Sequence, residues 1–501
     1  MAGTTTVGKG ASASATSPEL VKAMAFLHAD EAHAVARLVD WLKIPSISTD
    51  PAYKGEVAKA ADWAAAQLRE LGFQVEVKET GKPAGSGHPI VLAKSAAAVV
   101  AEKSKTKANG PHILFYGHYD VQPVDPVNLW DSPPFEPVVR EAKPGEAGGT
   151  RVVARGAVDD KGQVASFLDA LRAWKHATGD ATGGVAYTIL LEGEEESGST
   201  SLEAFLVAHQ TDLKACDVCL ISDTGMLGRG RPAITYGVRG LAYTEIILHG
   251  PNQDLHSGLW GGRVPNPINE LVQILGQMWT WERAVRIPGF YDDVTELSYE
   301  ERAAWRELNF DPAEALAKIG LPPESDIGES WYTASEREWA RPTAEINGIM
   351  AGYTGVGAKT VIPSHAMAKV SFRLVPNQTP DKTVSMFFDW LQSKTPPGCR
   401  WELKDLHGGH PATCSTDSPT LAAATRALEH AAGRKPDLIK SGGSIPVAGM
   451  LRALVGIDTI FMGFGLDDDR VHSPNEKFEL DCFRLGARAH AAFIAELKAM
   501  T

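Results

Sequence analysis

The chain reads as an α/β protein, a doubly wound mixed sheet interrupted by an inserted α+β domain, and three observations carry that expectation. Short apolar runs at 112–116, 187–191 and 218–221 alternate with stretches whose apolar residues recur at helical spacing. Each run ends in a glycine or polar turn bearing histidine or carboxylates, where open α/β sheets place their ligands. Near Gly237 the alternation gives way to period-two strands, as at 244–250 and 368–375, the mark of a sheet with one buried face.

Ser17 is a helix cap with Pro18 in the first turn, and helical spacing then continues through Trp41 and Leu42 until Pro45 ends it. A second amphipathic helix spans about 54–71, and Gly72 stops it before a strand at 73–77. Residues 82–110, rich in Lys, Ala and Gly around a strand-like 90–93, read as an exposed excursion, and 130–148 as a loop with room for a hairpin. After Asp159-Asp160-Lys161-Gly162, the residues Val164, Phe167, Leu168, Leu171 and Trp174 form one face of a helix. A helix from about 200 and the strand before Ser222-Asp223 complete the first alternating run. The inserted domain is expected over 237–414, with a long helix after Pro267, an irregular helical stretch at 289–345, a helix at 381–394 and a strand at 401–406. The alternating core, 18–236 and 415–501, resumes with a helix at 419–432 and a strand around 459–462.

With 501 residues, 44% of them hydrophobic and 22% charged, the chain has the composition of a soluble globular protein of two or three domains. Its net charge of −13 argues against nucleic acid or an anionic membrane as partner and points to a small molecule. Residues 1–17 lack the apolar core of a signal peptide and read as a disordered tail, and no run is long enough to span a bilayer. Five cysteines, an odd number, fit reduced thiols in a cytoplasmic protein. The C-x-x-C pair Cys216 and Cys219 has no second pair and runs into an apolar strand, so it reads as buried strand cysteines.

Chemistry gathers at the strand ends. The strand at 187–191 runs into Glu192-Gly193-Glu194-Glu195-Glu196-Ser197-Gly198, where neighbouring carboxylates point different ways. Glu195 and Glu196 can therefore take two jobs, one as metal ligand and one as general base toward a metal-bound water. His118, Asp159, Glu196, Asp223 and the distant His472 are donors suited to a pair of divalent ions. Three carboxylates against two such ions leave room for one bridging hydroxide in a neutral cluster, a reason for water to ionise there near neutral pH. Asp120, two residues beyond His118, is placed to orient that imidazole. Singly these residues have ordinary readings as core histidine, helix cap, turn acid or surface histidine; the set points to a metal centre.

In order along the chain, Gly117-His118-Tyr119-Asp120-Val121-Gln122-Pro123, Arg155-Gly156-Ala157-Val158-Asp159-Asp160-Lys161-Gly162, Glu192-Gly193-Glu194-Glu195-Glu196-Ser197-Gly198-Ser199 and Ser222-Asp223 resemble the signatures of a known family. It is that of the di-zinc metallopeptidases, which includes carnosinase, acetylornithine deacetylase, succinyl-diaminopimelate desuccinylase and glutamate carboxypeptidase. Residues 254–258, 357–363, 372–376 and 442–446 are similar to its carnosinase-like dipeptidase branch. The resemblance implies two divalent ions per chain, Zn2+ first, with Mn2+ and Co2+ suited to the same donors. By it, His118, Asp159 and Asp223 hold one ion, while Asp159, Glu196 and His472 hold the other, with Asp159 bridging. Glu195 is then the general base for attack of the metal-bridging hydroxide on the peptide bond of a dipeptide. His256 polarises the carbonyl, Arg373 and Thr360 grip the substrate carboxylate, and Ser444 lines the pocket. The core becomes a di-metal catalytic domain and the insert a lid and dimerisation domain, which lends His256 across the axis of a homodimer. A cis peptide between Asp159 and Asp160 is also implied. An N-acyl-amino-acid deacylase of the same family would share the chemistry and differ in its pocket. A metal-stabilised binding module would need a closed four-ligand site and no spare base, so the presence of Glu195 weighs against it.

Overall fold

The computed structural model of the chain describes residues 17–501, so the tail expected at 1–16 lies outside the described residues. These residues form two compact units, the first comprising the chain up to Tyr236, Cys414–Leu438 and Leu454–Thr501, the second Gly237–Thr413 and Ile439–Ala453.

The first unit is organised on a mixed sheet of strands β1 (Gln74–Lys78), β2 (Ile90–Lys94), β3 (His112–His118), β4 (Ala186–Glu192), β5 (Val218–Ile221), β6 (Ala233–Val238) and β7 (Asp458–Phe461). Their spatial order is β1-β2-β4-β3-β5-β7-β6. The centre is parallel, β4 with β3, β3 with β5 and β5 with β7, while the flanking pairs are antiparallel. Strands β3 and β4 are buried along their whole length, as near-continuous apolar runs require when helices cover both faces. Helix Lys161–Thr178 packs against Leu480–Lys498, and Leu480–Lys498 against Pro419–Ala432. Helix Lys54–Leu71 ends at Gly72, whose φ of 96° is the left-handed conformation that favours glycine at this cap.

Three expectations are corrected here. Residues 82–110 are not an excursion: β2 is a buried strand of the sheet, and Ala96–Ser104 is a helix capped by Ser95. The strand-like 90–93 is a strand; its Lys-, Ala- and Gly-rich flanks gave no sign that it joins the sheet. The N-terminal helix is two, Pro18–Ala29 and Glu31–Leu42, broken at Asp30, whose carboxylate binds Arg37 at 2.6 Å. The hairpin allowed within 130–148 has its second strand further on, Val138–Arg140 pairing with Arg151–Val153, and the latter also pairs with Lys477–Glu479. Cys216 and Cys219 are free and buried.

The second unit holds a four-stranded antiparallel sheet in the order Thr343–Ala351, His365–Leu374, Gly240–His249, Arg400–Gly409. Burial alternates strictly along Gly240–His249, and the buried set, with Ala242, Ile246 and Leu248, packs with Leu271, Ile274, Phe387 and Leu391 of helices Pro267–Leu275 and Pro380–Ser393. The helix after Pro267 is not long: it spans nine residues. Leu255–His256 and Val361–Ile362 make a separate two-stranded ribbon. Among the described residues no helix is long and apolar enough to cross a membrane.

Candidate metal centre

The site is assembled where strands of the first unit's sheet stop. His118 is the last residue of β3 and is fully buried. Its Nε2 lies 3.1 Å from Asp159 Oδ1 and 3.7 Å from Asp223 Oδ2. Its Nδ1 lies 3.1 Å from the Asp120 carbonyl oxygen and 3.3 Å from Asp120 Oδ1, so Asp120 fixes the ring from behind. The other oxygen of Asp120 accepts the main-chain N–H of Glu196 at 3.0 Å. One carboxylate thus orients both an imidazole and the turn after β4.

Asp159 stands between two histidines: Oδ1 faces His118, and Oδ2 lies 2.9 Å from His472 Nε2. His472 is also 3.1 Å from Glu196 Oε2, which Gln122 Nε2 holds at 2.8 Å. His118, Asp160 and Asp223 form one cluster able to hold an ion, and Asp159, Glu196 and His472 a second. The Asp159-Asp160 peptide is cis.

The acidic run after β4 divides its labour. Glu192 is buried and accepts from Tyr116 and Ser199, and burial pushes its carboxyl up to about 8. Glu194 ties the turn together, accepting from the N–H groups of His88 and Ser201, each at 2.8 Å. Glu196 faces His472, while the Glu195 carboxylate makes no hydrogen bond to a described residue. Burial, with the charges of Glu196 and Asp159 behind it, pushes Glu195 up to about 7 against the opposing charge of His118. That range suits a base that must gain and lose a proton near neutrality.

The donor set fits a pair of divalent cations. Asp159, Asp160, Glu195, Glu196 and Asp223 crowd around two imidazoles, and burial raises Asp223 well above its ordinary range. His472 is raised to about 10 by its bonds to Asp159 and Glu196. Asp160 Oδ1 is buried with no partner. Excess buried negative charge of this kind is costly without cations.

Asp160 was not singled out from sequence; it directly precedes helix Lys161–Thr178. Its Oδ2 accepts from the N–H of His118 at 3.2 Å, and a Cβ at Gly117 would come within 2.6 Å of Val164 Cγ2 and 2.9 Å of that oxygen, so glycine suits this position. Glu476 was also missed. Fully buried, it accepts from Arg155 Nη1 at 2.7 Å, from Gly156 N and Val158 N at 3.0 Å, and from Asp159 N at 3.2 Å. It therefore clamps the turn carrying Asp159 to the loop carrying His472; its adjacency to His472 in the sequence was the available signal.

The other singled-out residues lie in the second unit. His256 and Thr360 are exposed at the two-stranded ribbon, where Ser257 N donates to the Thr360 carbonyl at 3.1 Å. Arg373 Nη1 donates to Ser444 Oγ at 2.7 Å.

Residues 114–496 match the family described as peptidase family M20/M25/M40. The chain is 31% identical over 475 residues to the Cys-Gly metallodipeptidase dug1 of Schizosaccharomyces pombe, covering 93% of this chain and 96% of that one. It is 31% identical over 481 residues to the human Beta-Ala-His dipeptidase, covering 94% and 91% of the two. The crystal structure of human carnosine dipeptidase 1 superposes with a TM-score of 0.74 at 28% identity, over 96% of this chain and 99% of that chain.

Proposed function

We propose, for a chain that belongs to peptidase family M20/M25/M40, that it is a metal-dependent dipeptidase whose base is Glu195. The observation that carries the reading is Asp159 set between His118 and His472 with the Glu195 carboxylate left free beside them. Relatives that span nearly the whole chain and are named Cys-Gly and Beta-Ala-His dipeptidases support the substrate class. In this reading His118, Asp159 and Asp223 hold one ion, and Asp159, Glu196 and His472 the other. Two divalent ions, zinc by preference, supply the positive charge that ionises a water and polarises a carbonyl.

Glu195 takes the proton from the attacking water and returns it to the leaving amine, and its raised range allows both transfers. Asp120 keeps the His118 ring in one orientation and holds Glu196 through its N–H. In the second unit, His256 is assigned to the developing oxyanion, Arg373 and Thr360 to the substrate carboxylate, and Ser444 to the pocket wall. We further propose a cytoplasmic homodimer.

A substrate panel tests the reading. The zinc-loaded protein is offered Cys-Gly, β-Ala-His and other dipeptides beside N-acetyl- and N-succinyl-amino acids. Release of free amino acids from dipeptides at kcat/KM well above the acyl compounds is expected. The reverse preference makes the protein a deacylase and removes the dipeptidase reading.

A further inference from the structure

Within the second unit, the turn Ser441–Ser444 is held from one side by a single residue that neither the metal centre nor the proposed substrate contacts include. The main-chain N–H of Arg239 donates to the carbonyls of Ser441 at 3.3 Å and Gly443 at 3.1 Å. Its side-chain Nε donates to the Gly442 carbonyl at 3.0 Å, and Nη1 to that of Arg341 at 3.2 Å. Three consecutive carbonyls of the turn are thus engaged by Arg239. Strand register puts Arg373 opposite Leu241, so Arg239 stands just off the end of the strand that Arg373 pairs with. Arg373 reaches the same turn, donating to Ser444 Oγ at 2.7 Å, which leaves the hydroxyl hydrogen of Ser444 free to donate elsewhere.

The charge is unbalanced. Among the described residues neither guanidinium has a carboxylate within ion-pair distance; the acids felt by Arg239 are the exposed Glu338 and Glu345, and Arg373 feels none. Burial, then the neighbouring Arg373 charge, pulls Arg239 down to about 10. Two half-buried cations kept together at a cost, one of them on the Ser444 hydroxyl, need an anion.

Resting on the dipeptidase reading, we infer that Arg239 is the positioning residue that makes this pocket select a free carboxylate. It keeps three carbonyl dipoles turned toward itself, where they do not face the anion, and adds a second fixed positive charge beside Arg373. A dipeptide with a free C-terminal carboxylate is accepted; the same dipeptide as its C-terminal amide is refused. Substituting Arg239 leaves its main-chain N–H on Ser441 and Gly443, but the Gly442 carbonyl loses its side-chain donor and is free to turn, and the second positive charge is gone, so a carboxylate meets a negative dipole where it met a cation.

The test compares wild type, Arg239→Gln, Arg239→Lys and Gly442→Ala on one dipeptide and its amide. For Arg239→Gln we expect KM for the dipeptide to rise by about tenfold or more with kcat within about twofold, while the amide rate changes little, so the acid-to-amide preference collapses. Arg239→Lys keeps the charge but not the fork, and regains part of the preference. In Gly442→Ala the new Cβ comes within 2.8 Å of Arg239 Nη2 and displaces the guanidinium without removing it, which should lower the preference in the same direction. Equal losses on acid and amide, or a preference unchanged in all three variants, would overturn the inference and leave Arg239 a structural residue. If Arg239→Gln does not fold, the lysine and alanine variants decide. A wild type that cleaves no dipeptide refutes the dipeptidase reading alone; calorimetry with N-acetylglycine and N-acetylglycinamide on the zinc-loaded protein then tests the carboxylate preference without turnover. Tighter binding of the acid, lost in Arg239→Gln, sustains it, and equal binding of the two ends it.

Discussion

Replacing Glu476 by glutamine should damage the metal centre from outside it. Oε2 accepts from Arg155 Nη1 and Gly156 N, and Oε1 from Val158 N and Asp159 N. A glutamine keeps one acceptor oxygen and puts an NH2 where the other was, so two of the four donors face a donor whichever way the amide turns. Arg155, 1% exposed, also loses its only ion pair among the described residues, keeping a bond to the Pro123 carbonyl and a stack on Trp130. Breaking a buried pair by removing one partner costs about 3–5 kcal/mol. Unfolding entropy of about 2.1 cal/mol/K per residue over a unit of roughly 300 residues is about 0.6 kcal/mol/K, so the first unit's melting transition should fall by about 5–8 °C. Because the clamp also sets the Asp159 turn, zinc affinity should fall by about tenfold to a hundredfold. Scanning calorimetry and chelator competition measure the two. A shift below about 1 °C with zinc affinity unchanged would show that Glu476 does not organise the turn.

Glu195→Gln should lower turnover by about a hundredfold or more while two ions per chain are retained; loss of metal instead would make Glu195 a ligand. Because Glu195 must be ionised to accept a proton, kcat/KM should fall as pH drops, and since nearby cations favour the ionised form the limb should lie at or below about 7. A rate flat between pH 8 and 5 refutes that assignment. His256→Ala and Glu195→Ala chains, each inactive, should on subunit exchange recover about a quarter of wild-type sites if a partner lends His256. Demonstrated exchange without recovered activity returns His256 to its own chain or to no role.

The parts of the fold legible in the sequence are those whose signal is local. The apolar runs within the fully buried β3 and β4 and the helix face Val164, Phe167, Leu168, Leu171 and Trp174 declare their burial by composition and period. The run at 90–93 showed as strand-like, but five residues between Lys- and Ala-rich flanks gave no sign that β2 is buried in the sheet. The helix break at Asp30 has no proline or glycine beside it, so the sequence did not mark it. His118, Asp159, Glu196, Asp223 and His472 could be named because strand ends and motif resemblance marked them, and the structure brings all five together. Asp160, Glu476 and Arg239 act through main-chain groups far away in sequence, and such partners are visible only in three dimensions.

The position of β7 has a consequence for how the chain is made. It lies between β5 and β6, yet it is encoded 237 residues after the end of β5, from Ile221 to Asp458, with the whole of the second unit in between. At about 5–20 residues per second of synthesis, β5 emerges roughly 10–50 s before its parallel neighbour exists. For that interval the nascent sheet carries an open seam between β5 and β6, the kind of unpaired edge that recruits strands from other chains. The seam closes when residues 458–461 arrive, and His472 follows eleven residues later. Closure of the sheet and completion of the second histidine's cluster are thus a single late event in the life of each polypeptide.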